Sequence, residues 1–192
     1  MKIYDGNTHE SWMNGLAETD SANVRHLLCA FARLGIPKSY LDVGCGTGAM
    51  VNAARKLGVE AYGVDQLVEE TWPSYFFHRN LVDYFKLPEP VELVICVEVA
   101  EHIHESAHAT LCDTICDNLA HGGNYLIFCA ARPGQGGTGH IACRSAEYWG
   151  EQFVLRGLSQ NLHLTMNLGL LFSNINTSLN YWHDNLQVWE KT

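Results

Sequence analysis

The stretch from Leu41 to Gly48 constrains the fold of this chain more than any other. It combines a short apolar run with glycines at alternate positions, which is typical of a buried strand that enters a turn and then a helix. Glycine reaches positive φ without steric cost and lets a backbone approach a ligand closely. Gly44, Gly46 and Gly48 therefore predict a main-chain cradle for a small molecule at the end of a strand.

The spacing of these glycines distinguishes between two kinds of ligand. A dinucleotide site is typical of Gly-x-Gly-x-x-Gly, which seats a pyrophosphate on a helix N-terminus. Here the spacing is Gly-x-Gly-x-Gly, and Asp42 precedes Gly44 by two residues. A carboxylate in that position would repel a phosphate and suits a cationic ligand. Further along, Asp65 ends a second predicted strand, where a carboxylate can accept hydrogen bonds from both hydroxyls of a ribose.

These residues match the Asp/Glu-x-Gly-x-Gly-x-Gly motif, and the chain resembles class I S-adenosylmethionine-dependent methyltransferases. The resemblance implies a doubly wound, Rossmann-like α/β fold. It also implies a seven-stranded sheet of order 3-2-1-4-5-7-6 with the last strand antiparallel, and S-adenosyl-L-methionine as cofactor. Asn80-Leu81 stands where the family often has an Asp-Leu pair at the adenine edge, and Asp83 is the alternative there. The implied cofactor-binding residues are Asp42, Gly44, Cys45, Gly46, Gly48, Asp65, Gln66, Asn80, Leu81, Val97 and Glu98.

A second informative stretch, Glu98 to His102, follows the fourth predicted strand. On a helix, Glu98, Glu101 and His102 would share one face and could hold a divalent ion. Glu-x-x-Glu-His resembles the ubiquinone-pathway O-methyltransferases and the small-RNA 3′-end 2′-O-methyltransferases, which pair it with a later histidine. His140 is the implied fourth ligand, so Glu98, Glu101, His102 and His140 form the predicted metal site, and Glu101, His102 and His140 the predicted catalytic set.

Metal binding has an alternative at the same residues. Many members of the family carry Glu-His here without a metal, with the glutamate near the methionine amino group and the histidine as an aromatic wall or general base. With an ion, the substrate hydroxyl would bind the metal and its pKa would fall. Without one, His102 would act as the base and Glu98 as a cofactor contact.

Hydrophobic periodicity and turn signals predict the remaining elements. Residues 131–140 are rich in glycine and predict a lid on the substrate side, with a plain flexible connection as the alternative. The predicted helices are 21–34, 49–57, 107–119 and 144–155, and the remaining predicted strands are 58–64, 74–80, 91–97, 124–130, 162–166 and 185–189. The residues expected near the acceptor are Tyr4, Trp12, Met13, Arg132, Gln135, His140, Tyr148 and Trp149.

Length and charge limit the class of protein. A chain of 192 residues with 47% hydrophobic residues predicts one domain over 1–192: a helical cover over 1–37, a cofactor-binding half over 38–130 and a substrate-side half over 131–192. Its formal net charge of -9 disfavours nucleic acid and anionic membranes. No apolar run approaches the length of a membrane span, so we expect a soluble, cytoplasmic monomer or homodimer.

Cysteine and histidine usage adds two further expectations. Seven cysteines, mostly in apolar segments, favour a reducing compartment. Cys112 and Cys116 lie one helical turn apart, and we expect core packing there rather than zinc binding. His104, His108 and His121 are expected on solvated helix faces.

The sequence thus predicts methyl transfer from S-adenosylmethionine to a small-molecule acceptor, with oxygen as the expected acceptor atom. A nucleic-acid or protein methyltransferase is one alternative, and a cofactor-binding protein without catalysis is another. A nicotinamide-dependent oxidoreductase shares the strand, glycine turn and ribose carboxylate, but its phosphates would meet Asp42.

Overall fold

In the computed structural model, backbone structure is described for residues 6–175 and 181–192, and side chains for 20–175 and 181–192. Tyr4, Trp12 and Met13, expected near the acceptor, lie outside the described side chains. Seven strands form one sheet of order β3-β2-β1-β4-β5-β7-β6. The strands are β1 Ser39–Val43, β2 Glu60–Asp65, β3 Phe76–His78, β4 Leu93–Val97, β5 Asn124–Cys129, β6 Ser159–Gln160 and β7 Gln187–Lys191.

The first five strands are parallel, and β7 runs antiparallel to both β5 and β6. This confirms the predicted order and the antiparallel last strand. In the centre, Asp42 of β1 lies opposite Gly63 of β2 and Ile95 of β4. The carboxyl ends of β1, β2 and β4 therefore meet at one edge of the sheet, where ligands bind in open α/β folds.

Helices cover both faces of the sheet. They are α1 Gly6–Leu34, α2 Ala49–Lys56, α3 His108–Asn118, α4 Ala146–Val154, α5 Leu162–Ser173 and α6 Tyr181–Asp184. One core includes Leu111 of α3 and Phe153 of α4, and the other includes Leu27 of α1, Val51 of α2 and Leu168 of α5. Each helix buries an apolar stripe against the sheet, which is the main source of stability in such a layered fold.

The predicted start of the first helix is wrong. The predicted helix covers 21–34, but α1 is continuous from Gly6. The Asp20 carboxylate, one residue before the predicted start, accepts a hydrogen bond of 2.7 Å from the Thr47 hydroxyl in the glycine turn.

The predicted strand over residues 162–166 is also wrong, because these residues begin α5. The Asn161 side chain caps this helix by accepting from the Leu164 amide at 3.0 Å. Leu164, Leu168 and Phe172 then recur at helical spacing and are all buried. The sixth strand comes earlier, at Ser159–Gln160, and pairs with β7.

Cys112 and Cys116 pack in the core, as expected. Both thiols are buried, and this burial raises the pKa of each to about 12, so they stay protonated at neutral pH. Every cysteine of the chain is free of disulfides. Across the helices of the described residues, no segment has the length and apolar character needed to cross a bilayer.

Candidate functional site at the carboxyl edge of the sheet

The glycine turn after β1 is held by β2. The amides of Gly44 and Cys45 donate to the Val64 carbonyl at 2.9 and 3.2 Å. The Gly46 amide donates to Asp65 Oδ2 at 3.0 Å. Strand β2 thus fixes the shape of the turn before any ligand binds.

The three glycines of the motif have different roles. All have positive φ, at 82° for Gly44, 51° for Gly46 and 76° for Gly48. A Cβ on Gly44 would stand 2.2 Å from Val99 Cγ2, and one on Gly48 would stand 2.5 Å from Phe76 Cζ, whereas a Cβ on Gly46 would meet no atom within 4 Å. Gly44 and Gly48 allow close packing within the protein, and Gly46 is the member that leaves backbone open to a ligand.

Asp65 is the last residue of β2, where the sequence predicted it. Its Oδ1 accepts from the Leu67 amide at 2.9 Å, while Oδ2 accepts from Gly46. Burial raises the pKa of Asp65, and these backbone hydrogen bonds partly offset the increase. A carboxylate accepts about four hydrogen bonds, so the backbone amides of Gly46, Leu67 and Gln66 leave capacity for a further donor.

Asp42 is buried inside β1, and its Oδ2 has no hydrogen-bond partner in the described part of the chain. Burial raises the pKa of Asp42 to about 7, the nearby Tyr40 hydroxyl opposes this rise as a hydrogen-bond donor, and the charges of Asp65 and Asp20 add to it. An unpartnered buried carboxyl oxygen is costly, so it favours a ligand that brings a hydrogen-bond donor or a positive charge.

Asn80 and Leu81, predicted at the adenine edge, lie on the loop beyond β3, where Leu81 is buried and Asn80 is exposed. Gln66, a further predicted cofactor contact, lies beyond β2 and is exposed. The Asn80 side chain accepts from the Val82 amide at 3.2 Å, which fixes the loop but leaves its amide nitrogen available. Val97 is the last residue of β4 and is half-buried.

Glu98, Glu101 and His102 do not share one helical face, which corrects the prediction. Glu98 has a φ of 55°, in the left-handed region, and only Ala100–His102 form a single 3-10 turn. The Glu98 amide donates to the Cys129 carbonyl at 3.0 Å, so β5 holds the chain at this bend. Strained conformations of non-glycine residues concentrate at functional sites.

The Glu98 and Glu101 carboxyl groups face each other inside the protein. Glu101 is fully buried, and its carboxyl oxygens and Glu98 Oε1 have no hydrogen-bond partner among the described residues apart from each other's carboxyl group. Burial, followed by the charge of Glu101 and a hydrogen bond between the two carboxyl groups, raises the pKa of Glu98 to about 8. The Glu101 carbonyl accepts from the amides of Ile141 and Ala142 at 2.9 and 3.1 Å, which ties the turn to the end of the glycine-rich loop.

His102 and His140 approach Glu101 from two segments. His102 Nδ1 lies 3.0 Å from the Gly139 carbonyl, and a carbonyl can only accept, so Nδ1 carries the proton and Nε2 keeps its lone pair. His140 Nδ1 lies 3.4 Å from the Gln135 carbonyl, and His140 Nε2 lies 3.9 Å from Glu101 Oε1. Ligand atoms of Glu101, His102 and His140 all lie within 4.8 Å of one another.

These three residues are the part of the predicted metal set that the structure brings together as a possible ligand group. Glu98 does not belong to that group. The left-handed bend at Glu98 explains the difference, because it breaks the helical spacing on which the four-ligand prediction depended.

The predicted acceptor-facing residues of α4 instead pack inward. Trp149 is buried against Phe128 and His108, with ring centroids 5.2 and 4.6 Å away. The Tyr148 hydroxyl lies 3.1 Å from His108 Nδ1. His108, expected on a solvated face, is 1% exposed, and its Nε2 lies 2.9 Å from the Ile103 carbonyl. His104 and His121 are exposed, as expected.

Gln135 of the glycine-rich loop is engaged within the protein. Its side-chain oxygen accepts from the Arg132 amide at 2.5 Å and from Asn185 Nδ2 at 2.9 Å. Two residues that the sequence did not single out also belong to this region. Cys143 Sγ lies 3.8 Å from His140 Nδ1. The pKa of Tyr181 is raised, first by burial and then by the charge of Glu98. The only sequence signal for Cys143 is its position three residues after His140, and Tyr181 has none.

Comparison with known proteins assigns this arrangement to a family. A family model described as a methyltransferase domain matches residues 16–168. The chain belongs to that family. The match includes the glycine turn, Asp65, the Glu98–His102 stretch and His140. This methyltransferase has the fold of class I S-adenosylmethionine-dependent enzymes, so the predicted family, fold and enzyme class are confirmed.

Solved structures share the fold at low sequence identity. The sugar N-methyltransferase KedS8 from Streptoalloteichus sp. ATCC 53650 is 16% identical with a TM-score of 0.66, and the alignment covers 95% of this chain and 92% of that one. The 1,6-didemethyltoxoflavin-N1-methyltransferase of Burkholderia thailandensis, with bound S-adenosylhomocysteine, is 14% identical with a TM-score of 0.65, over 97% and 86% of the two chains.

A curated relative matches a shorter segment. A probable tRNA (uracil-O(2)-)-methyltransferase of Caenorhabditis briggsae is 33% identical over 66 residues, or 34% of this chain. The chain covers only 11% of the length of that relative.

Proposed function

We propose that this protein transfers a methyl group from S-adenosylmethionine to a small-molecule acceptor. The observation that carries the proposal is the adjacency of two sites on neighbouring strands. The glycine turn follows β1, and the polar cluster of Glu101, His102 and His140 is anchored at the end of β4, which pairs directly with β1. The small-molecule methyltransferases of the same fold support this substrate class.

The cofactor half of the proposal depends on three features. Gly46 leaves an open main-chain face, Asp65 keeps capacity for a ribose hydroxyl donor, and Asp42 has an unpartnered buried oxygen that suits a cationic ligand. These features fit S-adenosylmethionine, which supplies an electrophilic methyl on a sulfonium. Contacts to the rest of the cofactor are proposed for Gly44, Cys45, Gly48, Gln66, Asn80, Leu81, Val97 and Glu98.

On the acceptor side we propose His102 as the general base. Its Nδ1–H donates to Gly139, which orients the ring and leaves the Nε2 lone pair free to take a proton. His140 and Glu101 complete the acceptor pocket. Because the sulfonium is already activated, the protein has mainly to align the nucleophile with the methyl group and remove its proton.

Release of S-adenosylhomocysteine from a panel of phenols, alcohols, amines, carboxylates and nucleotides tests this function. We expect turnover with a small molecule, and His102→Gln should lower it by about 100-fold or more, since general bases contribute that much. Exposed His121→Gln is the matched control. Turnover restricted to RNA or protein would overturn the small-molecule assignment, and the net charge of -9 argues against RNA. We also propose that the protein is a single domain, that it is located in the cytoplasm, and that it is a monomer or a homodimer.

A second candidate is oxygen methylation assisted by a divalent ion. The observation that favours it is the convergence of Glu101, His102 and His140 within 4.8 Å. Such an ion would lower the pKa of an acceptor hydroxyl. Activity lost on dialysis against EDTA and restored by Mn²⁺ or Zn²⁺ would support this candidate, and anomalous scattering from crystals soaked in the metal would locate it. Unchanged activity in EDTA would remove it.

A further inference from the structure

The space between Glu101 and the two histidines contains hydrogen-bond acceptors without donors. Both carboxyl oxygens of Glu101 and Oε1 of Glu98 are buried, and no donor from elsewhere in the described residues reaches them. His102 Nδ1 donates to the Gly139 carbonyl, so its Nε2 keeps a lone pair. His140 Nδ1 lies 3.4 Å from the Gln135 carbonyl, which favours the same tautomer. Buried acceptors are normally satisfied, so their ligand should supply several donors at once.

The buried carboxyl groups of Glu98 and Glu101 have no lysine or arginine partner in the part of the chain that the structure describes. The one basic side chain in ion-pair range is His140, whose Nε2 lies 3.9 Å from Glu101 Oε1. Arg144 pairs with Glu105, and Arg156 pairs with Asp113. A buried carboxylate needs a cation or a proton to offset its desolvation. A ligand that brings a positive charge would offset the desolvation of the Glu101 carboxylate.

We propose that the methyl acceptor is an aliphatic amine, which binds as its ammonium against Glu101, His102 and His140. This inference rests on the proposed methyltransferase function and specifies its substrate class. An ammonium offers three N–H donors, which match the three acceptor groups, whereas a hydroxyl offers only one. A carboxylate or phosphate acceptor would be repelled by the Glu101 carboxylate.

The spacing of the acceptor atoms agrees with an ammonium. Hydrogen bonds of about 2.8 Å from a tetrahedral nitrogen place their acceptors about 4.6 Å apart. Ligands about 2.1 Å from a tetrahedral metal ion lie about 3.4 Å apart. The separation between His140 Nε2 and Glu101 Oε1 is 3.9 Å, and the whole group lies within 4.8 Å. The one measured separation lies between the two values, so the spacing accommodates an ammonium nitrogen as well as a metal ion.

Methyl transfer to this nitrogen requires one proton to leave first. The ammonium gives a proton to Nε2 of His102, which forms an imidazolium and leaves a neutral amine with a lone pair. The amine nitrogen attacks the methyl carbon, and the C–N bond forms as the C–S bond breaks. The electron pair of that bond stays on sulfur, so S-adenosylhomocysteine leaves as a neutral thioether and the product is a methylated ammonium. The imidazolium then returns its proton to water.

Matched pairs of acceptors, in which an amine replaces a hydroxyl on the same skeleton, test the proposal. We would compare benzylamine with benzyl alcohol, cyclohexylamine with cyclohexanol and glucosamine with glucose, at millimolar concentration with the full chain. Release of S-adenosylhomocysteine and the mass of the product are the readouts. In at least one pair, S-adenosylhomocysteine should be released about 10-fold faster or more with the amine than with the alcohol, since one charged hydrogen bond is worth that factor. If no pair shows a preference for the amine, or if no pair is turned over at all, the proposal is overturned.

Variants separate recognition of the amine from other roles of the same residues. Glu101→Gln keeps the shape but loses the charge, and should lower kcat/KM for the preferred amine by about 100-fold while the Kd for S-adenosylhomocysteine changes less than twofold. Glu151→Gln, at an exposed position of α4, is the matched control. A Glu101→Gln variant that loses S-adenosylhomocysteine affinity would assign the carboxylate to the cofactor and overturn the proposal.

Two further outcomes are distinguishable. Dependence of turnover on Mn²⁺ or Zn²⁺ after chelation would assign the cation to a metal and also overturn the proposal. Failure of the wild-type chain to bind S-adenosylhomocysteine would instead remove the methyltransferase function itself. Normal cofactor binding combined with no preference for amines removes only the substrate class.

Discussion

Gly44 lies against Val99 so closely that a Cβ on Gly44 would stand 2.2 Å from Val99 Cγ2. This contact joins the glycine turn after β1 to the segment after β4. The cofactor turn is therefore packed on the segment that carries Glu101 and His102, and we expect a change at Gly44 to affect that segment.

Gly44→Ala and Gly46→Ala should separate packing from ligand access. Both positions have positive φ, which costs an alanine about 1–2 kcal/mol. Gly44→Ala adds the clash with Val99, so we expect its free energy of unfolding to fall by about 2–4 kcal/mol in total. Gly46→Ala should lower the free energy of unfolding only by the backbone cost of positive φ. Its main effect should be weaker binding of S-adenosylhomocysteine. Urea denaturation and calorimetry measure the two effects, and equal losses of stability would contradict this interpretation.

The Asp20–Thr47 hydrogen bond should hold α1 against the glycine turn. Thr47→Val removes the hydroxyl donor and leaves the half-buried Asp20 carboxylate without this hydrogen bond. We expect the free energy of unfolding to fall by about 1 kcal/mol. Thr47→Ser keeps the hydroxyl and is the matched control. If valine and serine give the same denaturation midpoint, this bond does not contribute to stability.

Asp42 should make the ligand-free protein less stable as pH rises. Its pKa is about 7 in the folded chain against an ordinary value of 3.8, so the folded form holds a proton that the unfolded form releases between about pH 4 and 7. Stability should therefore decrease across this window, by up to about 4 kcal/mol, and level off above it. Asp42→Asn should lack this component, which urea denaturation at pH 5, 6 and 8 measures. Parallel pH profiles for the two proteins would be the contrary result.

Gly137 should be required for the position of His140. A Cβ on Gly137 would stand 2.2 Å from His140 Nε2, whereas a Cβ on Gly136 would meet no atom within 4 Å. Gly137→Ala should displace the imidazole and lower kcat/KM by about 10-fold, the effect of losing one well-placed contact, while the Kd for S-adenosylhomocysteine stays the same. Gly136→Ala is the neighbouring control. Unchanged turnover in Gly137→Ala would mean that His140 does not contact the acceptor.

The cofactor half of the chain was predictable because its signals are local. Glycines at alternate positions specify a turn after β1, and a strand that ends in Asp65 specifies the neighbouring carboxylate. Sheet order followed from the family resemblance rather than from the residues themselves. The roles of these residues toward S-adenosylmethionine stay predictions.

The acceptor half depends on contacts that local patterns do not encode. The spacing of Glu98 and Glu101 is helical, but the hydrogen bond from the Glu98 amide to Cys129 bends the chain there. His108 was expected in solvent because it is polar, yet the Ile103 carbonyl and the Tyr148 hydroxyl satisfy it inside the protein. Both outcomes depend on partners that are distant in sequence but close in space, Cys129 of β5 and Tyr148 of α4.

Calorimetric titration of the purified chain with S-adenosylhomocysteine tests the central claim most directly. We predict one-site binding in the wild-type protein, weakened about 10- to 100-fold by Asp65→Ala through the loss of charged hydrogen bonds to the ribose. Glu89→Ala, which removes an exposed carboxylate, should bind like the wild type. Circular dichroism should show that all three proteins are folded. Absence of binding at millimolar ligand, or equal affinity in the wild type and Asp65→Ala, would contradict the claim that this fold is a working S-adenosylmethionine site.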